Sequence, residues 1–354
     1  MTARFLFSAN YLKVCYNKPY KTKTEDIMDY SQILSQQFNI KEEYAKNIIT
    51  LLDDGNTIPF IARYRKEMHG SMDDQLIREF AEKLEYLRGL DKRRDEIRSL
   101  IDAQEKLTDE INLALDKAAT LSELEDIYRP YRPKRKTRAS IAKEKGLEPL
   151  ANDILKQEKG FDPSKSAVDY IDEEKGVTSV EDAIQGAMDI IAELVSDNAE
   201  IRKRIRNLTN ANGVLVSVAT DEEKDSVYKN YYDYKEPVKK IAGHRVLAVN
   251  RGEKEGFLKV SVETDSKKPL NSIFRAMITD KNQLCSDIIR EACTDAYQRL
   301  IYPSIEREVR NDLTDTAAEN AMKVFAVNLK QLLMQPPVKG KTVLALDPGY
   351  RTGW

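Results

Sequence analysis

The sequence predicts a mainly α protein assembled from many amphipathic helices. Apolar residues recur every three or four positions over most of the chain, charged residues reach 33%, and Gly and Pro are scarce, at 14 and 12 of 354 residues. That is the composition of helices that bury one stripe and solvate the other. A single hydrophobic core stops growing near about 250 to 300 residues, so two or three packing units are expected.

Residues 1–27 show neither helical nor strand periodicity and read as a loose extension ahead of Met28, with Arg4, Lys13, Lys18, Lys21 and Lys23 preceding the first acid, Glu25. From Asp29 the stripe Ile33, Leu34, Phe38 predicts one helix and Tyr44, Ile48, Leu51, Leu52 the next, with Gly55 placed to stop it. Ser71 is the expected cap of a helix of about 30 residues on Leu76, Phe80, Leu84, Leu87, Leu90, Ile97 and Ile101. Short helices follow, with Ser122 and Glu125 as a capping box, Pro149 and Pro163 in first turns, and Gly146 and Gly160 as stops. A longer pair is expected over 180–207. Residues 214–219 and 257–262 are rich in β-branched side chains and read as strands of a small β-ribbon. Helical spacing resumes at Ser272, stops at Pro303, and runs again through Val324, Phe325, Leu329 and Leu332 to Pro336. Residues 28–210 are thus read as a helical domain, 211–335 as a second helical segment with the ribbon, and 336–354 as a linker and the first strand, 342–346, of a domain cut short.

The net charge of −2 gives no global basic field, so attraction to phosphate would have to come from a local patch. Cys15, Cys285 and Cys293 are too few and scattered for a disulfide framework, which points to a reducing compartment. With His69 and His244 as the only histidines, no metal site is expected. No apolar run approaches the roughly 18 residues that span a bilayer.

The clearest cationic stretch is YRPYRPKRKTRASIAKEK, residues 128–145, where Arg129, Arg132, Lys134, Arg135, Lys136 and Arg138 precede a single acid, Glu144. Pro130 and Pro133 favour an extended backbone that spreads these cations, and Tyr128 and Tyr131 offer rings for stacking on bases. Two readings stand side by side, phosphate binding and a solvated loop paired with neighbouring acids. A second stretch, TIPFIARYRKE at 57–67, carries Arg63, Arg65 and Lys66, but Phe60, Ile61 and Tyr64 favour a packing role there. In the third, 243–260, His244, Arg245, Arg251 and Lys254 flank an apolar stripe and no nucleophile can be paired with the histidine. Asp347 ends a predicted buried strand and is followed by Pro348 and Gly349. One carboxylate is not a two-metal site, which needs several from other strands.

Together these stretches, with LSELEDIYRPYRPKRKTRASIAKEKGLEPLA, HRVLAVNRGEKEG, SIEREVRNDLTDTAAENAMKVFAVNLKQLL and QPPVKGKTVLALDPGYRTG, resemble the Tex family of transcription accessory proteins in the same order, from about Met28 to Gly353. The resemblance implies a helical N-terminal region with helix-turn-helix-like units, followed by a YqgF-like RNase H fold, helix-hairpin-helix elements and an OB-fold RNA-binding domain, of which the first part is present. It places Asp347 where RNase H-like folds hold a metal ligand. The expected function is a cytoplasmic, non-enzymatic, nucleic-acid-associated scaffold with no cofactor. Its expected partners are RNA or DNA, bound weakly, and the transcription machinery, and no membrane is involved. The alternative is part of a metal-dependent RNase H-like nuclease whose other carboxylates lie further along.

Overall fold

The computed structural model describes residues 24–133, 135–279, 281–336 and 339–344, with side chains from Tyr30 onward. The extension expected before Met28, apart from the start of the first helix, lies outside them, as do Lys134 and Asp347. The chain is mainly helical and divides into two compact units, one up to Tyr128 and one from Arg129.

The first unit comprises α1 (Thr24–Phe38), α2 (Glu42–Asp53), α3 (Ile58–Tyr64), α4 (Lys66–His69), α5 (Asp74–Asp102), α6 (Asp109–Lys117) and α7 (Leu121–Tyr128). Its core joins Leu34, Ile48, Ile49, Ile61, Ile77 and Phe80, all fully buried, with the Phe38 and Phe80 rings 5.4 Å apart. α5 has the expected length, about 44 Å at 1.5 Å per residue. Its cap differs: Asp73, not Ser71, accepts from the Leu76 amide at 2.8 Å, because Ser71 sits in the left-handed region at φ 64°. The start of α7 also shifts. Thr120 accepts from the Glu123 amide and Glu123 from the Ala119 amide, while Glu125 pairs with Arg93 at 2.7 Å.

The second unit comprises α8 (Arg138–Glu144), α9 (Glu148–Lys156), α10 (Pro163–Ala167), α11 (Val180–Asp197), α12 (Ala199–Asn212), β1 (Val214–Ala219), β2 (Asp233–Pro237), α13 (Gly243–Lys254), β3 (Leu258–Glu263), α14 (Lys267–Met277), α15 (Gln283–Asp295) and α16 (Tyr302–Leu333). α11 is its axis, with Ala183, Ala187, Ile191 and Val195 fully buried. Ile201 and Ile205 of α12 share one core with Ile273, Ile289 and Ile305, so the boundary expected at 210 runs through a common interior.

The sheet has three antiparallel strands in the order β2-β1-β3, with Val216 opposite both Lys235 and Ser261. The sequence offers two of them. β2, DYKEP, is an outer strand with alternating exposed residues, and Tyr234 is its one residue of the usual strand composition. On the other outer strand, the outward backbone groups of β3 are taken up by side chains. Glu306 accepts from the Val262 amide at 3.0 Å, Tyr302 donates to the Val262 carbonyl at 2.7 Å, and Arg310 donates to the Val260 carbonyl at 3.0 Å.

Pro303 does not stop the helix. A π-helical turn, Ala296–Ile301, joins α15 directly to α16, and Pro303 falls in the first turn of α16. The wider turn accommodates a residue that lacks an amide and crowds the preceding turn. Beyond Ala318 every described residue of α16 is exposed, including Val324, Phe325, Leu329 and Leu332, whose helical spacing the structure confirms. No helix among the described residues is long and apolar enough to cross a membrane.

Candidate nucleic-acid interface

The cationic stretch begins where α7 ends. Tyr128 is buried in the first unit, with the Arg93 guanidinium 5.7 Å from its ring centre, so it is not available to stack on bases. Pro130 lies within a single 3-10 turn, Arg129–Tyr131, and of the residues that follow, Arg132, Pro133, Arg135, Lys136 and Thr137 belong to no helix or strand. There the helix α8 is started by a capping box: Thr137 accepts from the Ser140 amide at 3.0 Å and Ser140 accepts from the Thr137 amide at 2.8 Å. α8 is pressed onto α11 through Ala139 and Ala142, and the fit is close at Gly186, where a Cβ would stand 2.3 Å from the Leu147 side chain.

This frame separates the five of the six predicted cations that are among the described residues. Arg129 forms an ion pair with Asp197 at 3.4 Å, at the end of α11, and so serves as an anchor. Lys136 lies 3.4 Å from Glu144, but both side chains are well exposed, and pairs of that kind contribute little in water. The side chains of Arg132 and Arg135 are exposed and make no hydrogen bond or ion pair to a described residue. Arg138 is exposed at the start of α8 and acts at longer range on Asp189. Burial pushes the Asp189 carboxyl above its usual range, an effect that Arg299, 3.5 Å away, and Arg138 oppose. Further along, Lys143 pairs with Glu148 at 3.1 Å and Lys145 donates to the Gly176 carbonyl at 2.7 Å. The structure therefore brings Arg132, Arg135 and Arg138 to one solvated strap held at both ends.

The other two stretches part ways. Arg245 is held by Glu236 at 2.9 Å and by Tyr234, and it fastens α13 to β2. At 57–67 only part of the expected packing occurs. Ile61 is fully buried, whereas Tyr64 is 66% exposed, and Arg63, Arg65 and Lys66 beside it are exposed as well. Sequence reasoning assigned Tyr64 inward because an aromatic in an apolar turn usually is. Among the described residues no group of three or more His, Cys, Asp or Glu is placed to hold a metal ion.

Residues 28–102 match the Tex-like protein N-terminal domain and residues 158–325 match the Tex central region-like family, together more than half of the chain. The chain belongs to the Tex family. It is 45% identical over 333 residues to YdcI of Bacillus subtilis, covering 92% of this chain and 46% of that protein. It is 37% identical to the transcriptional accessory protein Tex of Neisseria gonorrhoeae, covering 92% of this chain and 44% of the relative. Human S1 RNA-binding domain-containing protein 1 is 32% identical, over 94% of this chain and 35% of its own length. The chain thus spans less than half the length of these relatives.

Proposed function

We propose that the chain is the helical scaffold part of a transcription accessory protein, that it acts in the cytoplasm, and that it contacts nucleic acid phosphates without catalysing a reaction. The observation that carries this reading is the strap on which Arg132, Arg135 and Arg138 stand exposed, tied down by Arg129 to Asp197 at one end and by the Thr137–Ser140 box at the other. A held strap loses little chain entropy on binding, and solvated guanidiniums exchange counterions for phosphate at low cost. The names of the relatives support it: one is called a transcriptional accessory protein and another an S1 RNA-binding domain-containing protein. Lys134 and Lys136 add charge to the same stretch.

Contact through phosphate alone carries no base preference and fades as salt rises. With roughly four phosphates neutralised on a single strand, the log-log salt slope is about −3. Replacing Arg132, Arg135 and Arg138 together by Ala flattens that slope by about 2 and leaves helical content intact. Lys239 and Lys240, exposed on the far side of β2 in sequence, serve as a matched control that changes little. An unchanged affinity and slope in the triple variant overturns the assignment.

A further inference from the structure

We infer a second nucleic-acid contact in the first unit, at the junction of α3 and α4, where single-stranded nucleic acid stacks a base on Tyr64 and sets its phosphates against Arg63 and Lys66. This rests on the reading of the chain as nucleic-acid-associated and adds to it a site that can tell single strands from duplex. The junction is firmly built from below. Ile61 is fully buried, His69 is fully buried with Nε2 3.1 Å from the Ile61 carbonyl oxygen, and Asn47 donates to the Met68 carbonyl at 3.1 Å. α4 ends at Gly70, in the left-handed region at φ 64°, and a Cβ there would stand 2.6 Å from the Tyr44 ring.

What this base presents outward is aromatic and cationic at once. Phe60 and Tyr64, one turn apart on α3, lie with ring centres 5.4 Å apart. Arg65 folds back so that its guanidinium stands 5.5 Å from the Phe60 ring centre. Arg63, Arg65 and Lys66 are exposed and make no side-chain hydrogen bond or ion pair to a described residue, and the one acid among them, Glu67, is itself exposed and unpaired. A solvated ring flanked by uncompensated cations matches the two faces of a single strand, the π-face of a base and its phosphates. In a duplex the base faces are stacked on one another, and only the phosphates remain to be bound.

The test uses the whole chain and a labelled oligothymidylate, with a duplex of the same length beside it, read by fluorescence anisotropy. Tyr64→Ala lowers affinity for the single strand about 5- to 150-fold, the range that loss of one base–aromatic stack produces, and leaves duplex affinity unchanged. Tyr64→Phe, which keeps the ring, binds as the parent does. Arg63→Ala with Lys66→Ala weakens single strand and duplex alike and flattens the salt dependence. Because Tyr64 is exposed, thermal unfolding followed by circular dichroism stays the same in every variant. Parent-like binding by Tyr64→Ala overturns the inference, as does equal loss in Tyr64→Phe, an absence of any oligonucleotide binding, or competition by polyglutamate as effective as by oligothymidylate. Loss in the Arg132, Arg135, Arg138 variant with none in Tyr64→Ala removes this site alone. The reverse pattern removes the strap and keeps the site.

Discussion

Arg129 and Arg132 stand three positions apart in one cationic stretch, yet Arg129 is held 3.4 Å from Asp197 while the side chain of Arg132 has no partner among the described residues. Nothing local distinguishes them. The difference comes from where α11 ends, which places a carboxylate from far along the chain beside the first arginine and beyond reach of the second. The cysteines give the same lesson. Burial pushes the Cys293 thiol up to about 12 and raises that of Cys285 as well, and both lie inside the core of the second unit. The thiolate is the reactive form, so burial holds both groups as the unreactive thiol, and the folded chain shields both sulfurs. In a Cys15→Ser background, iodoacetamide is expected to leave Cys285 and Cys293 unmodified in the folded protein and to alkylate both in denaturant. Stoichiometric labelling of the native chain at the rate of a free thiol contradicts that burial.

At the scale of elements, α5 depends on its first turn. Asp73 accepts from the Leu76 amide and is the described side chain that caps this 29-residue helix. Asp73→Ala is expected to cost about 1 kcal/mol, read as a lower urea midpoint at unchanged slope, and Asp73→Asn to recover most of it. Ser71→Ala is the comparison, and a loss there equal to that of Asp73→Ala refutes the assignment. α5 was legible because Phe80, Leu84, Leu90, Ile97 and Ile101 mark one face over about six turns, and such a face has few other solutions. Its cap was not, since Ser71 and Asp73 are both good capping residues and only the backbone at Ser71, turned left-handed after Gly70, excludes the first. β2 escaped notice because DYKEP has no branched residue and a single aromatic, Tyr234, and an outer strand needs little more when its neighbour supplies the pairing. Pro303 misled for a related reason: the break it calls for was absorbed by a π-helical turn, a change that leaves the apolar spacing almost intact. Of the cationic sites, the composition of 128–145 was visible and the division of labour within it was not, because ion pairing and exposure are properties of the fold.

For the molecule as a whole, the proposal of a scaffold without catalysis is tested at Asp347. Asp347 is one carboxylate where a two-metal phosphoryl site needs several, and its neighbours along the chain, Pro348 and Gly349, supply none. The purified chain is expected to leave both DNA and RNA intact in the presence of Mg²⁺ or Mn²⁺. Cleavage that disappears on Asp347→Asn establishes the nuclease alternative instead. The small sheet bears on how copies of the molecule meet one another. An open strand is a template on which another chain can crystallise its own backbone, and concentrated protein finds such templates. Here the outward groups of β3 are already engaged by Glu306, Tyr302 and Arg310, and β2 carries Lys235 and Pro237 along its length. Both margins of the sheet are thereby closed to fibrillar growth, and a protein rich in helices keeps this sheet from becoming a seed.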